Sequence, residues 1–73
     1  MDELTAQKDL IRKIVEHAMF NDMVKSLKQE MANDMLSADT DAYRQSIYYE
    51  NKALDRLVGK LISITNEVRA IYG

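Results

Sequence analysis

Residues 43–72 read YRQSIYYENKALDRLVGKLISITNEVRAIY, and this stretch decides the fold. With Ile47 at position a of a heptad, apolar side chains recur at positions a and d, and only Glu50 interrupts the series. Four such heptads predict one long helix with a coiled-coil-like apolar seam, about 45 Å in length. The predicted core seam consists of Tyr43, Ile47, Leu54, Leu57, Leu61, Ile64, Val68 and Ile71.

The composition favours an all-α fold. The 73 residues include no proline, no cysteine and only two glycines. Strand turns, disulfides, thiolate metal sites and Gly-rich phosphate loops are therefore not expected. We expect a single helical domain, residues 1–73, whose small core is marginal unless a partner supplies further stability.

The first half of the chain carries two apolar faces that differ in helical phase. The first face consists of Leu10, Ile11, Ile14, Val15 and Ala18. The second face consists of Phe20, Met23, Val24, Leu27, Met31 and Met35. The two faces are displaced by about 150°, so a straight helix cannot bury both against one neighbour. The phase change predicts a break near residues 18–21.

The predicted architecture is a helical hairpin with one broken arm, in which two shorter helices pack on the long C-terminal helix. Thr5 is the expected cap of the first helix, and Asn21 or Asp22 that of the second. The short connection makes its flanking helices antiparallel neighbours. The predicted elements are a helix over about 5–18, a helix over about 22–36, a turn at 37–41 and the long helix over about 42–72.

The charge pattern argues against a nucleic-acid binder. The net charge is −2, from ten basic and twelve acidic residues. Residues 1–41 hold five basic and nine acidic groups, net −4, whereas residues 42–73 hold five and three, net +2. Either the two halves complement each other or the basic half meets an acidic partner. There is no membrane-length apolar run and no signal-peptide pattern at the start, so we expect a cytoplasmic chain.

The sequence offers no catalytic, cofactor or metal site. His17 is the single histidine and cannot form a zinc site alone. No nucleophile has an adjacent base with an orienting group, and a thin hairpin has no room for a substrate cavity. We therefore expect a non-enzymatic protein that uses no cofactor, metal or small-molecule substrate.

Two surfaces remain as candidates for binding another protein. Tyr48, Gly59 and Ile62 lie off the seam, and we predict that they form a contact face for self-association. The alternative for Gly59 is a tolerated surface glycine. The methionines of the shorter arm either fill the core or form a groove for a partner helix, and they are Met19, Met23, Met31 and Met35.

Residues 20–61 carry a pattern in two halves. The first half reads Phe20, Met23, Val24, Leu27, Met31 and Met35. After a Thr/Asp-rich turn it continues as Arg44, Ile47, Tyr48, Leu54, Asp55, Gly59 and Leu61. This pattern resembles that of small uncharacterised helical-hairpin proteins encoded in the structural gene modules of tailed, podovirus-type bacteriophages. This chain departs from the family at Met35 and Tyr48, where the family usually has tryptophan.

The resemblance implies a phage origin and a role in or near the virion. We therefore expect a structural or assembly protein that binds itself, as a homo-oligomer, or a larger virion component, in the virion and the host cytoplasm. The alternative is a phage-encoded inhibitor that blocks a host enzyme, which the acidic first half would suit.

Overall fold

The computed structural model describes residues 2–72, with side chains to residue 71. It confirms the all-α prediction, because two shorter helices pack on a long C-terminal helix and the described residues include no strand. The three helices are α1, Glu3–Val15, α2, Phe20–Leu36, and α3, Asp41–Tyr72.

Asp2 determines where α1 begins. Its carboxylate accepts a hydrogen bond of 2.7 Å from the backbone N–H of Thr5, and this bond lowers the pKa of Asp2. Thr5 is thus the third helical residue and not the cap. Its N–H is one of the donors that the first turn leaves without a helical partner, which is why an acidic side chain before Glu3 starts the helix early.

Residues 16–19 separate α1 from α2, two residues earlier than predicted. His17 organises this break. Its Nδ1 accepts a hydrogen bond from the N–H of Met19 at 3.1 Å, and its carbonyl accepts one from the N–H of Phe20 at 3.0 Å. Met19 takes the N-cap position without a side-chain cap, and the first turn of α2 already contains the two predicted caps, Asn21 and Asp22.

Residues 37–40 connect α2 to α3. The hydroxyl of Thr40 accepts a hydrogen bond from the N–H of Tyr43 at 3.1 Å, which caps α3. Arg44 donates to the carbonyl of the buried Ala38 at 2.9 Å and so holds the connection against the first turn of α3. This short link makes α2 and α3 antiparallel neighbours.

The path of α1 differs from that of α2. Lys8 pairs with Glu67 at 3.1 Å, and Glu16 pairs with Arg69 at 2.7 Å. Both pairs join α1 to the last turns of α3, so α1 packs on the C-terminal part of α3. The result is a thin molecule of 50 × 22 × 17 Å.

Few side chains are buried in the described part of the chain, and the predicted seam is only partly inside. The buried residues are Phe20, Ala38, Ile47, Thr65 and Val68. Three further seam residues are half-buried, namely Leu54, Leu61 and Ile64. The structure corrects the prediction for the remaining three, which are exposed by 51%, 55% and 64%: Tyr43, Leu57 and Ile71.

The inner stripe of α3 runs along positions a and e, whereas the sequence suggested a and d. The e positions that turn inward are Asn51, Val58 and Thr65. Positions d and e flank position a on its two sides, so a small rotation of α3 about its axis exchanges one column for the other at the edge of the buried stripe. Thr65 tolerates burial because its hydroxyl donates to the carbonyl of Leu61 at 2.8 Å.

Asn51 provides a test of this register. Its Oδ1 is buried, and no hydrogen-bond partner lies within the described residues. An unsatisfied buried polar atom costs about 1–3 kcal/mol. We expect Asn51→Leu to raise the free energy of unfolding by about 1 kcal/mol, measured by urea denaturation. The same substitution at the exposed Asn66 should change stability by less than about 0.5 kcal/mol. Equal effects at the two sites would contradict the a/e register.

Candidate functional site

An open groove lies where α1 meets α2. It encloses about 680 Å³. The wall from α1 and the break consists of Lys13, Ile14 and His17. The floor and second wall come from α2 and its N-cap, and consist of Met19, Phe20, Asp22, Met23 and Ser26. The volume lies within the range of protein ligand sites, although this groove is open along its length.

The groove is apolar because the break exposes side chains that a hairpin of straight helices would bury. Ile14, Met23 and Met19 are exposed by 47%, 51% and 66%, while Phe20 is buried beneath them. Methionine side chains are flexible and adapt to irregular partner surfaces. Such a surface suits a protein partner better than a polar substrate.

The apolar surface continues beyond the groove along one edge of the α2–α3 pair. Lys28 and Asp55 form an ion pair that marks the opposite edge. Leu27 lies one turn beyond Met23, and Leu57 lies about 160° around α3 from Asp55. Both leucines are exposed, by 39% and 55%. The groove and this edge together form one apolar face, which we define by Ile14, Met19, Met23, Leu27 and Leu57.

The sequence-predicted interface lies on the other side of α3. Tyr48 and Ile62 are exposed by 47% and 43%, and a Cβ added at Gly59 would meet no atom within 4 Å. Lys52 Nζ lies 4.9 Å from the centre of the Tyr48 ring, and the hydroxyl of Tyr48 raises the pKa of Lys52. The three residues share a solvated face, but no other helix among the described residues comes within contact distance of a Cβ at Gly59.

Sequence reasoning found only part of the apolar face. The sequence left two roles open for the four methionines, filling the core or forming a groove, and the structure shows both. Met31 and Met35 are half-buried against α3, whereas Met19 and Met23 line the groove. Ile14 was missed. The apolar pattern of α1 groups Ile14 with Ile11 and Val15, whereas the structure leaves Ile14 exposed and half-buries Lys8, Ile11, Arg12 and Val15.

A chain of ion pairs fastens α1 to α3. Arg12 binds Asp9 at 2.9 Å and Glu16 at 2.8 Å, and Glu16 also accepts from Arg69 at 2.7 Å. The hydrogen bond from Arg12 lowers the pKa of Asp9, and the bond from Arg69 lowers the pKa of Glu16. The network therefore favours the ionised carboxylates in the folded state.

These shifts predict a loss of stability in acid. The stabilisation is complete above the unfolded-state pKa values of about 4 and disappears as the pH falls through the lower folded-state values. Because these side chains are partly exposed and solvent screens them, we expect a modest fall in the Tm below about pH 4, measured by circular dichroism. Glu16→Gln should lower the Tm at pH 7 and flatten the acid decline. Parallel pH profiles for the two proteins would contradict a role for this network.

Neither similarity to known proteins nor the grouping of ionisable side chains indicates another functional site within the described residues. No family model matches this chain, and no curated protein or solved structure is significantly similar to it. Within residues 2–72, no three His, Asp or Glu side chains are grouped as metal ligands. None of the helices there has the combination of length and apolar character that a membrane span requires.

Proposed function

We propose that this chain is a non-enzymatic protein–protein interaction module that acts in bacteriophage assembly, binding copies of itself or a larger virion component. The observation that carries the proposal is the apolar face around the groove, where several large side chains remain exposed. Large contiguous apolar patches on soluble proteins mark interaction sites.

The phage context of the proposal is supported by the sequence pattern of residues 20–61. Those positions supply the buried Phe20 and Ile47 that hold the hairpin together, and also the exposed Met23 and Leu27. The pattern therefore includes both structural and exposed positions. The corresponding locations are the virion and the host cytoplasm during assembly.

Mass spectrometry of purified particles and assembly intermediates tests this function. We expect the chain in at least one of them at a stoichiometry that matches a symmetric site, and cross-linked through α1 or α2 to itself or to one structural protein. Absence from both particles and intermediates would refute a virion role.

The alternative is an inhibitor of a host enzyme, and the charge of the short arm favours it. Asp22, Glu30 and Asp34 of α2 are exposed, and none of them forms an ion pair within the described residues. Such a surface fits a basic groove meant for nucleic acid. Expression in the host should then be toxic, and one host enzyme should co-purify in equal amounts. A harmless protein that recovers only itself would exclude this alternative.

A further inference from the structure

The folded chain exposes more surface than a compact monomer of its size. Its accessible surface is 5681 Å². A compact monomer of 8.4 kDa exposes about 4,600 Å². The excess of about 1,100 Å² exceeds the roughly 800 Å² that each partner buries in a stable complex of standard size. The fold therefore leaves enough excess surface for each copy to contribute its half of one standard-size interface.

The rim of the groove carries opposite charges on its two walls. Lys13 stands on the α1 wall, 65% exposed, and its ion pair with Asp9 is long at 3.4 Å. Asp22 stands on the α2 wall and has no ion-pair partner within residues 2–71. In a two-fold dimer every contact occurs twice, with the partners exchanged. A second copy can therefore place its Asp22 opposite Lys13 and its Lys13 opposite Asp22.

The shape of the groove fits the same arrangement. Each copy offers a cleft floored by Phe20 and a projecting wall that carries Ile14 or Met23. A two-fold axis through the cleft places a wall of one copy in the cleft of the other. Apolar contacts then lie at the centre and the charged pairs lie at the rim, as in stable protein interfaces.

We propose that the groove binds a second copy of this chain, and that the apolar face defined above is the interface of a two-fold symmetric homodimer. This inference rests on the proposed function, since it names the first partner of the interaction module. It also moves the self-association site from Tyr48, Gly59 and Ile62 to the opposite side of the molecule.

Light scattering after size exclusion, over a hundredfold range of concentration, measures the state directly. We expect a mass of about 17 kDa, twice that of the 8.4 kDa chain. Met23→Glu places an unpaired charge at the centre of the interface and should weaken the dimer by about a hundredfold or more. Tyr48→Glu is the matched control, because its exposure is similar and it lies on the other face. It should leave the dimer intact.

A charge exchange provides a second test that does not depend on a disruptive variant. Lys13→Glu or Asp22→Lys alone should each weaken the dimer, and the double variant should restore most of the lost affinity. Circular dichroism should show the same helix content in all variants, because the substituted side chains are exposed.

Three outcomes would overturn the inference: a monomer at every concentration, a dimer that survives Met23→Glu, or a dimer that Tyr48→Glu dissociates. The proposed function is tested separately. A monomer that is nevertheless found in virions would refute the dimer and retain the virion role. A dimer that is absent from particles and intermediates would retain the dimer and refute the virion role.

Discussion

Replacing Phe20 with alanine is expected to remove about 3–5 kcal/mol from the free energy of unfolding. Phe20 is only 6% exposed and is the one aromatic residue among the buried side chains of the described structure. It lies at the first residue of α2, beneath the groove and beside the break. Its truncation therefore opens a cavity at the junction of the two short helices.

This loss is a large fraction of the total free energy of unfolding. A 73-residue domain typically has a stability of about 4–11 kcal/mol. Urea denaturation should therefore show a midpoint that falls by a third or more, with little change in slope. Tyr49→Ala is the aromatic control, because Tyr49 is 58% exposed and contacts Tyr48 edge-on at 5.7 Å. It should cost less than about 1.5 kcal/mol. A similar small loss for Phe20→Ala would contradict its place in the core.

Replacing Val68 with alanine is the second large effect, at about 2–3 kcal/mol. Val68 has no exposed surface at all, and its neighbour on the inner stripe, Thr65, is 1% exposed. Deleting two buried methyl groups costs about 1.6 kcal/mol by transfer alone, and the cavity adds to this. For a domain of this size the Tm should fall by about 10 °C or more.

Comparing Val68→Ala with Ile71→Ala distinguishes the two possible registers of α3. The heptad pattern assigns Val68 and Ile71 equally to the seam, whereas the structure leaves Ile71 64% exposed. Ile71→Ala should therefore cost less than about 0.7 kcal/mol. All variants are compared at one protein concentration, because dissociation of a dimer would itself change the Tm. Equal losses at the two sites would mean that the a/d seam is inside after all.

Several features of the fold could be predicted from the sequence because their causes are local. The apolar repeat over residues 43–71 predicts one long helix, and the polar run over residues 37–41 predicts its start. The phase change around Ala18 predicts the break. These signals depend on residues within a few turns of each other, so the backbone responds to them in any packing.

The inner face of α3 could not be predicted in the same way. The sequence places apolar Leu57 and Ile71 at position d, and polar Asn51 and Thr65 at position e. Hydrophobicity alone therefore favours the d column. The structure turns the e column inward instead, with Thr65 buried and Asn51 and Val58 half-buried, because α1 and α2 must both contact α3.

The candidate site also depends partly on local sequence and partly on how the helices pack. The methionines near Phe20 suggest a groove as one of two alternatives, whereas the apolar pattern of α1 groups Ile14 with Ile11 and Val15. Ile14 becomes a groove residue because α1 packs on α3 through another face. That packing brings together Lys8 with Glu67 and Glu16 with Arg69, whose members are more than 50 residues apart.

By itself, then, the sequence determined an all-α chain, the broken short arm and the long C-terminal helix, since helix formation depends on neighbours three and four residues apart. The tertiary structure alone decided the exact position of the break, the register of α3 and the exposure of the apolar face. The physical reason is that each of these depends on how helices of unequal length share one small core. Contacts between distant residues, and not local periodicity, set that arrangement.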